Sequence, residues 1–440
     1  MFAGDSQPRG RWLPSPAGAR TPPTTLKHSY KPTLLLLTSS FPSSPDDETC
    51  GYVRDFSRSL AAEFNVTVLA PPDRRAVRWP SDSFKLIRSR SVLPFLRDPF
   101  QAGDDLNDLV GKSPLSKLVS LVSVFCFLAH AMALALRADV ICSNWMVPSG
   151  LVGALISRSL GRPHVVVEHS GALHLLARMR GGRRIARFIV KGSDQIVTVS
   201  EDLKRKLARL CPEAASKVEV IPMGINVPSS GEKTAAESDR DSVACRAVLF
   251  IGRLIEIKGL RVLLKAMQGL DGLQLIVAGD GESRDEHQRM ARELSLNARF
   301  IGRIGTEERR HLLSICDAVV IPSIVLANGR SEGTPVVCLE AMAAGRVVIA
   351  SRVGGLAEVI SDGENGLLFE QGDHQMLKEK LMTALNDDRL RERISVNAQH
   401  AAATYDWTRI GLRFADVLRG SLRKNDGIGN RRIESGCTHR

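Results

Sequence analysis

The chain's 440 residues are 43% hydrophobic and 25% charged, enough for two domains with full cores and ordinary for globular protein. Sixty Lys and Arg against 48 Asp and Glu leave +12, which suits an anionic partner such as a phospholipid surface or a phosphorylated substrate, or serves solubility alone; aromatic residues at 5% are too few for base stacking, which sets nucleic acid aside. The eight cysteines (Cys50, Cys126, Cys142, Cys211, Cys245, Cys316, Cys338, Cys437) are scattered without a Cys-x2-Cys pair, which argues against a zinc or disulfide framework and for reduced core thiols in a cytosolic protein.

Residues 1–32 are rich in Pro, Gly, Ser and Arg without apolar periodicity, so disorder is expected. They lack a secretory core, and an organelle transit segment or an extended translation start explains them equally well. From residue 33 short apolar runs alternate with helical patterns, as a parallel α/β sheet requires. Thr33 to Leu37 predicts the first strand, Val53 to Phe64 a helix, and Val66 to Leu69 the second strand. The sequon Asn65-Val66-Thr67 therefore reads as coincidence.

Leu118 to Leu136 is almost wholly apolar between Lys117 and Arg137, long enough to span a bilayer. It carries Ser120, Ser123 and His130 within a repeating α/β pattern, so a buried or interfacial helix is expected instead. Strands follow at Asp139 to Ile141, His164 to Val167, Gln195 to Val199 and Val218 to Ile221. Between the second and third of these, Arg180, Arg183, Arg184, Arg187 and Lys191 recur on one helical face, with Ile185, Phe188 and Ile189 on another and Gly181-Gly182 at the start. Such a helix can lie on an anionic bilayer or present an ordinary solvated face, and the net charge favours the bilayer.

After Pro222-Met223-Gly224 the chain turns polar and rich in Gly, Ser and Asp, which marks a linker at residues 228–242. A second α/β alternation occupies 243–405, a final helix 406–422 and a polar, flexible tail 423–440. Early in this half, Phe250-Ile251-Gly252-Arg253-Leu254-Ile255-Glu256-Ile257-Lys258-Gly259 ends an apolar strand in a glycine turn and delivers an Arg and a Lys that can hold a diphosphate. Farther on, Ser331-Glu332-Gly333-Thr334-Pro335 through Glu340 sets two carboxylates around a turn that should open a helix, where they can grip hydroxyls. A diphosphate grip followed by a hydroxyl grip, with no metal-ligand cluster between them, outlines a nucleotide-sugar site.

The Gly-Arg-Leu-x3-Lys-Gly and Glu-x7-Glu segments resemble those of retaining family 4 glycosyltransferases, whose GT-B architecture sets two Rossmann-like domains across a cleft. Val277-Ala278-Gly279-Asp280-Gly281 resembles the family's strand and Gly-x-Gly turn, Phe300-Ile301-Gly302 its next strand, and Ala350 to Glu358 with Asn365-Gly366-Leu367-Leu368 its sequel. The resemblance covers nearly everything after Thr33 and rests on ordered motifs. It implies an acceptor-side domain at 33–227, a nucleotide-sugar domain at 243–405, and a last helix, Trp407 to Leu418 within 406–422, that returns to the first domain.

By the same resemblance Arg253 and Lys258 neutralise the leaving diphosphate, Glu340 holds the ribose, Glu332 faces the donor sugar, and Gly252, Gly333 and Thr334 offer close backbone approach to the donor. His169, in Glu168-His169-Ser170-Gly171, matches the histidine facing the donor sugar, although many relatives show His-Gly-x-Asp; His174 is a second, weaker candidate. Cys50-Gly51 stands where a glycine-rich loop, often Gly-Gly, approaches donor phosphate or acceptor, so Gly51 is assigned to the donor site. The bland alternatives are a solvated basic turn for the cations, helix-surface or helix-start acids for the glutamates, and a structural His169. No metal and no cofactor beyond the nucleotide-diphosphate sugar is expected. The expected partners are that donor, a saccharide or lipid-linked saccharide acceptor, and an anionic membrane touched from the cytoplasmic side.

Rival classes lack their motifs. A nicotinamide oxidoreductase needs Gly-x-Gly-x-x-Gly after a first strand, which Leu37-Thr38-Ser39-Ser40-Phe41 does not supply. A triphosphatase loop ending in Gly111-Lys112-Ser113 would need a glycine where Leu106 stands. A non-catalytic nucleotide-sugar-binding homologue stays open.

Overall fold

A computed structural model describes residues 30–73, 75–89, 114–227 and 246–436. The expected linker at 228–242 and all but the last three residues of the expected extension at 1–32 lie outside them.

The first half builds a seven-stranded parallel sheet from β1 (Thr33–Leu37), β2 (Asn65–Ala70), β3 (Lys85–Arg88), β4 (Val140–Asn144), β5 (His164–Glu168), β6 (Gln195–Thr198) and β7 (Val218–Val220), in the order β3-β2-β1-β4-β5-β6-β7. Leu35 of β1 registers with Thr67 on one side and Ile141 on the other. Leu34 to Leu37 are all buried, because helices cover both faces of a parallel sheet and leave no solvent side for polar alternation. The second half repeats the plan with β8 (Arg246–Ile251), β9 (Leu273–Ala278), β10 (Ala298–Gly302), β11 (Ala318–Ile321), β12 (Val347–Ser351) and β13 (Leu367–Phe369), ordered β10-β9-β8-β11-β12-β13. Both sheets reverse their winding beside the first strand, between β1 and β4 and between β8 and β11. Loops leaving the carboxyl ends there part to opposite faces and open a crevice, so the fold itself supplies two facing clefts.

The helices of the first half are α1 (Gly51–Leu60), α2 (Pro114–Ala135), α3 (Leu151–Leu160), α4 (Gly171–Arg178), α5 (Gly182–Lys191) and α6 (Glu201–Leu210). Those of the second are α7 (Leu260–Met267), α8 (Arg284–Glu293), α9 (Thr306–Ile315), α10 (Val336–Ala343), α11 (Leu356–Val359), α12 (His374–Asn386) and α13 (Asp388–Ala402). The last helix, α14 (Trp407–Gly436), crosses back: Trp407, Ile410, Phe414 and Leu418 join the first core, with the Phe414 ring 4.7 Å from that of Phe56.

Five local expectations need correction. Helix α1 begins at Gly51 and stops at Leu60, because the chain must drop Phe64 into the core and start β2 at Asn65, whose amide bonds the Pro32 carbonyl. Strand β3 was not anticipated; its four residues are too short to show a period. Arg180 precedes α5, since Met179 is extended and Gly181, in a left-handed conformation, opens the helix. The apolar face of α5 is also not free: Ile189 is fully buried and Ile185 packs against the same core. Lastly, α14 runs to Gly436, where a tail from residue 423 was expected; nothing like a proline interrupts its hydrogen-bond ladder.

On α2, Phe127, Ala131 and Ala135 bury against Leu35, Leu69 and Val152, while Leu121 and Phe125 stay 69% and 70% exposed. Among the described residues no helix is long and apolar enough to cross a membrane.

Candidate active site

The second-half wall of the cleft is made of charged side chains on the loops that leave β8 and β11. Gly252 and Arg253 follow β8, and Lys258 closes a short turn before α7. Lys258 Nζ lies 2.5 Å from Glu332 Oε1, and Ser323 Oγ donates to Glu332 Oε2 at 2.6 Å. The two loops meet although their partners stand far apart in the chain. Glu332 is held from behind by Gly354, at φ +50, whose missing side chain would stand 2.4 Å from the Glu332 carbonyl oxygen. Only glycine allows that approach. Thr334 is half-buried beside it, just ahead of α10.

Glu340, on α10, is not idle. Arg309 of α9 places Nη1 3.0 and 3.2 Å from its two oxygens, and Glu48 of the first half stands 3.7 Å from the same nitrogen. Burial pushes the Glu340 carboxyl up, and the Arg309 charge opposes that push. Thr306 Oγ1 also donates to Glu48, so Glu48, Thr306, Arg309 and Glu340 tie the two halves at one rim. Gly51 opens α1 close to the Glu48 carboxylate, whose Oε2 would stand 2.8 Å from an added side chain and would have to shift to admit one. Burial raises the neighbouring Cys50 thiol.

Away from Glu48, the first-half wall presents mainly uncharged side chains, backed by one buried carboxyl. Glu168 ends β5 fully buried, and its oxygens accept the amides of Met146 and Ser170 at 2.9 Å each. His169 Nε2 lies 2.9 Å from Asn144 Oδ1, with the rings of Trp145 and Tyr52 at 4.9 and 5.2 Å. Burial pushes the His169 imidazole down to about 3, so it stays uncharged at neutral pH. Ser170 follows at φ +130, a region L-residues rarely occupy. The serine is thus held in a conformation that favours glycine, the residue that the family pattern His-Gly-x-Asp would place here. Its Oγ donates to the Ser331 carbonyl at 2.8 Å, tying the histidine loop to the loop of Glu332.

These bonds bring the two walls together. A side chain added at Gly333 would meet the His169 carbonyl oxygen at 3.1 Å, so His169, Glu332 and Gly333 share one spot of the cleft. His174 does not belong there; it lines a neighbouring cavity on α4. Sequence reasoning missed Glu48, Ser323 and Arg309, whose place depends on which loops the sheets bring face to face. Among the described residues no group of three or more His, Cys, Asp or Glu converges as a metal site.

Residues 243–401 match the family described as Glycosyl transferases group 1, and residues 51–228 match Glycosyltransferase Family 4. An uncharacterized glycosyltransferase of Methanocaldococcus jannaschii is 30% identical over 61% of this chain and 72% of its own length. The chain belongs to the family 4, group 1 glycosyltransferases. It is also similar to a D-inositol 3-phosphate glycosyltransferase of Corynebacterium glutamicum, at 28% identity over 57% of this chain and 61% of that one. In fold this glycosyltransferase resembles Anabaena HepE, solved in complex with UDP and glucose, with a TM-score of 0.67 at 20% identity over 88% of this chain and all of that one. The fold is GT-B: two Rossmann-like domains facing across a cleft.

Proposed function

We propose that this glycosyltransferase moves a hexosyl group from a nucleotide-diphosphate sugar to an acceptor hydroxyl with retention of configuration, without a metal or other cofactor. The observation that carries the reading is the Lys258–Glu332–Ser323 cluster set against the His169 carbonyl across Gly333. Arg253 and Lys258 hold the diphosphate and take up the negative charge that grows as the anomeric bond breaks. In a retaining step the acceptor oxygen bonds the anomeric carbon on the face the diphosphate leaves. The departing oxygen keeps the electron pair and accepts the acceptor's proton. Glu332 and the neutral His169 orient the sugar. Glu340 takes the ribose: a carboxylate has about four lone-pair sites, so Arg309 leaves room for two hydroxyls. Closure of the domains keeps water from the activated sugar.

The acceptor we favour is a lipid-linked saccharide in surface polysaccharide or glycolipid synthesis, met at the cytoplasmic face of the membrane. The exposed Leu118, Leu121 and Phe125 on α2, with Leu136 just past its end, and the exposed Arg184, Arg187 and Lys191 on α5, support contact with an anionic bilayer, since α3 packs against both helices. A soluble sugar acceptor is the second reading. A nucleotide-sugar panel assayed against lipid extracts, with products identified by mass spectrometry, tests both. Failure of every nucleotide-sugar to be bound, hydrolysed or transferred would sink the proposal.

A further inference from the structure

Beside the His169–Glu332 spot the two domains enclose a cavity of about 500 Å³, within the range of small-molecule sites. Four cations line it: Arg183 of α5, Lys206 and Arg209 of α6, and Arg330 of the loop that leads to Glu332; no carboxylate is among the residues lining it. Arg183 donates to the carbonyls of Leu210 and Arg209 at 3.3 Å each, which fixes its guanidinium without neutralising it. Arg183 and Arg209 have no carboxylate partner among the described residues. Lys206 pairs with Asp202 and also donates to Ser331 Oγ, so it bridges the domains at the cavity wall. Like charges gathered around one open cavity repel one another, and an anion among them turns that repulsion into attraction.

The cavity's place in the chain says which anion. Its walls include Ser170, next to His169, and Ser331, next to Glu332, and these two are hydrogen-bonded to each other. The donor diphosphate is assigned to Arg253 and Lys258, of which Lys258 reaches Glu332 from β8, whereas this cavity lies at Ser331, against α4, α5 and α6. We propose that the cavity holds a phosphate group of the acceptor, so that the enzyme glycosylates a hydroxyl of a phosphorylated sugar or polyol, either soluble or as a lipid headgroup. The inference rests on the glycosyl-transfer reading above and names its acceptor class. Arginines suit the task, because a planar guanidinium pairs with phosphate oxygens through two parallel hydrogen bonds.

The test is binding of glucose 6-phosphate and of glucose, by calorimetry, to full-length protein saturated with UDP and GDP so that the donor site is filled. Glucose 6-phosphate is expected to bind at least about tenfold more tightly than glucose, and Arg183→Gln/Arg209→Gln to erase that preference while UDP and GDP bind as before. Equal binding of the two sugars, or a preference that survives in the double variant, overturns the proposal. If the double variant fails to fold, Arg209→Gln alone, expected to lose most of the preference, decides the matter in the same way. Absence of any UDP or GDP binding would instead refute the glycosyl-transfer reading, and the sugar-phosphate preference would be read separately. Vesicles of phosphatidylcholine with and without phosphatidylinositol separate the sources. Flotation that requires phosphatidylinositol and is competed by glucose 6-phosphate assigns the phosphate to a lipid headgroup, and sugar-phosphate binding without flotation assigns it to a soluble acceptor.

Discussion

The two walls of the cleft use opposite chemistry. The second domain offers charged groups already paired with each other, Lys258 with Glu332 and Arg309 with Glu340. The first offers a neutral imidazole, an amide, aromatic rings and a serine in strained backbone. A wall of balanced ion pairs can exchange partners with a dianionic donor at little net cost, because each cation leaves one anion for another. A neutral wall makes no such exchange; its value lies in fixed geometry. Apart from Glu48 and the buried Glu168, the first domain should therefore tolerate loss of charge and resent loss of shape, and the second the reverse.

The largest effect is expected from Lys258→Ala, which removes a diphosphate contact worth about 1.5 to 3 kcal/mol and strips Glu332 of its cation. Steady-state kinetics should show kcat/KM lower by about tenfold to a hundredfold or more, with Arg253→Ala, an exposed cation, toward the lower end. Near-wild-type turnover in both variants would break the comparison at its first point.

The two glutamates should then separate. Glu340→Gln weakens a grip made equally in ground and transition states, so KM rises more than kcat falls; Glu332→Gln touches the sugar as it gains positive charge, so kcat falls more. Identical kinetic profiles would show that the ion-paired wall acts as one unit instead of two grips.

On the neutral wall, Ser170→Gly and Ser170→Ala both lose the bond to Ser331, but only glycine sheds the strain of φ +130. The glycine variant should be the more stable of the two by about 1 kcal/mol or more in denaturant unfolding. Equal stability would mean the backbone relaxes there.

The effect that is smallest at neutral pH, and grows only in acid, concerns the buried histidines. Burial lowers His164 to about 4 and His169 to about 3, from 6.5. The unfolded chain takes up protons as pH falls below about 6.5, while the native state does not, so these residues cost stability progressively between about pH 6.5 and 3 and nothing above. Urea midpoints should fall across that window, and the pH–rate profile should show no inflection near 6.5 from His169. An NMR titration placing either imidazole near 6.5 would refute this.

Legibility in the sequence follows the same divide. The sheets were readable because buried parallel strands are unbroken apolar runs, such as Thr33–Leu37 and Val347–Ser351. The charged wall was readable because its residues keep fixed spacing within one short segment, as Glu332 before α10 and Glu340 on it do. The latch of Glu48 to Arg309 was not, since it joins loops from different domains and no local pattern records it. The strain at Ser170 left only a negative trace, a serine where the resembled pattern His-Gly-x-Asp has glycine. The apolar face of α5 misled because periodicity tells that a helix has two faces, not which neighbour takes the apolar one.

The chain passes between the domains in both directions at one place. Ile225 on the way out bridges Asp406 on the way back, with the Ile225 amide bonded to the Tyr405 carbonyl and the Trp407 amide to the Ile225 carbonyl. Two strands side by side form an axle where a lone linker would be a leash: turning about it is cheap, while sliding along it breaks backbone bonds. A swing of the domains about this bridge would return the groups at the rim, Glu48 and Arg309, to the same meeting place.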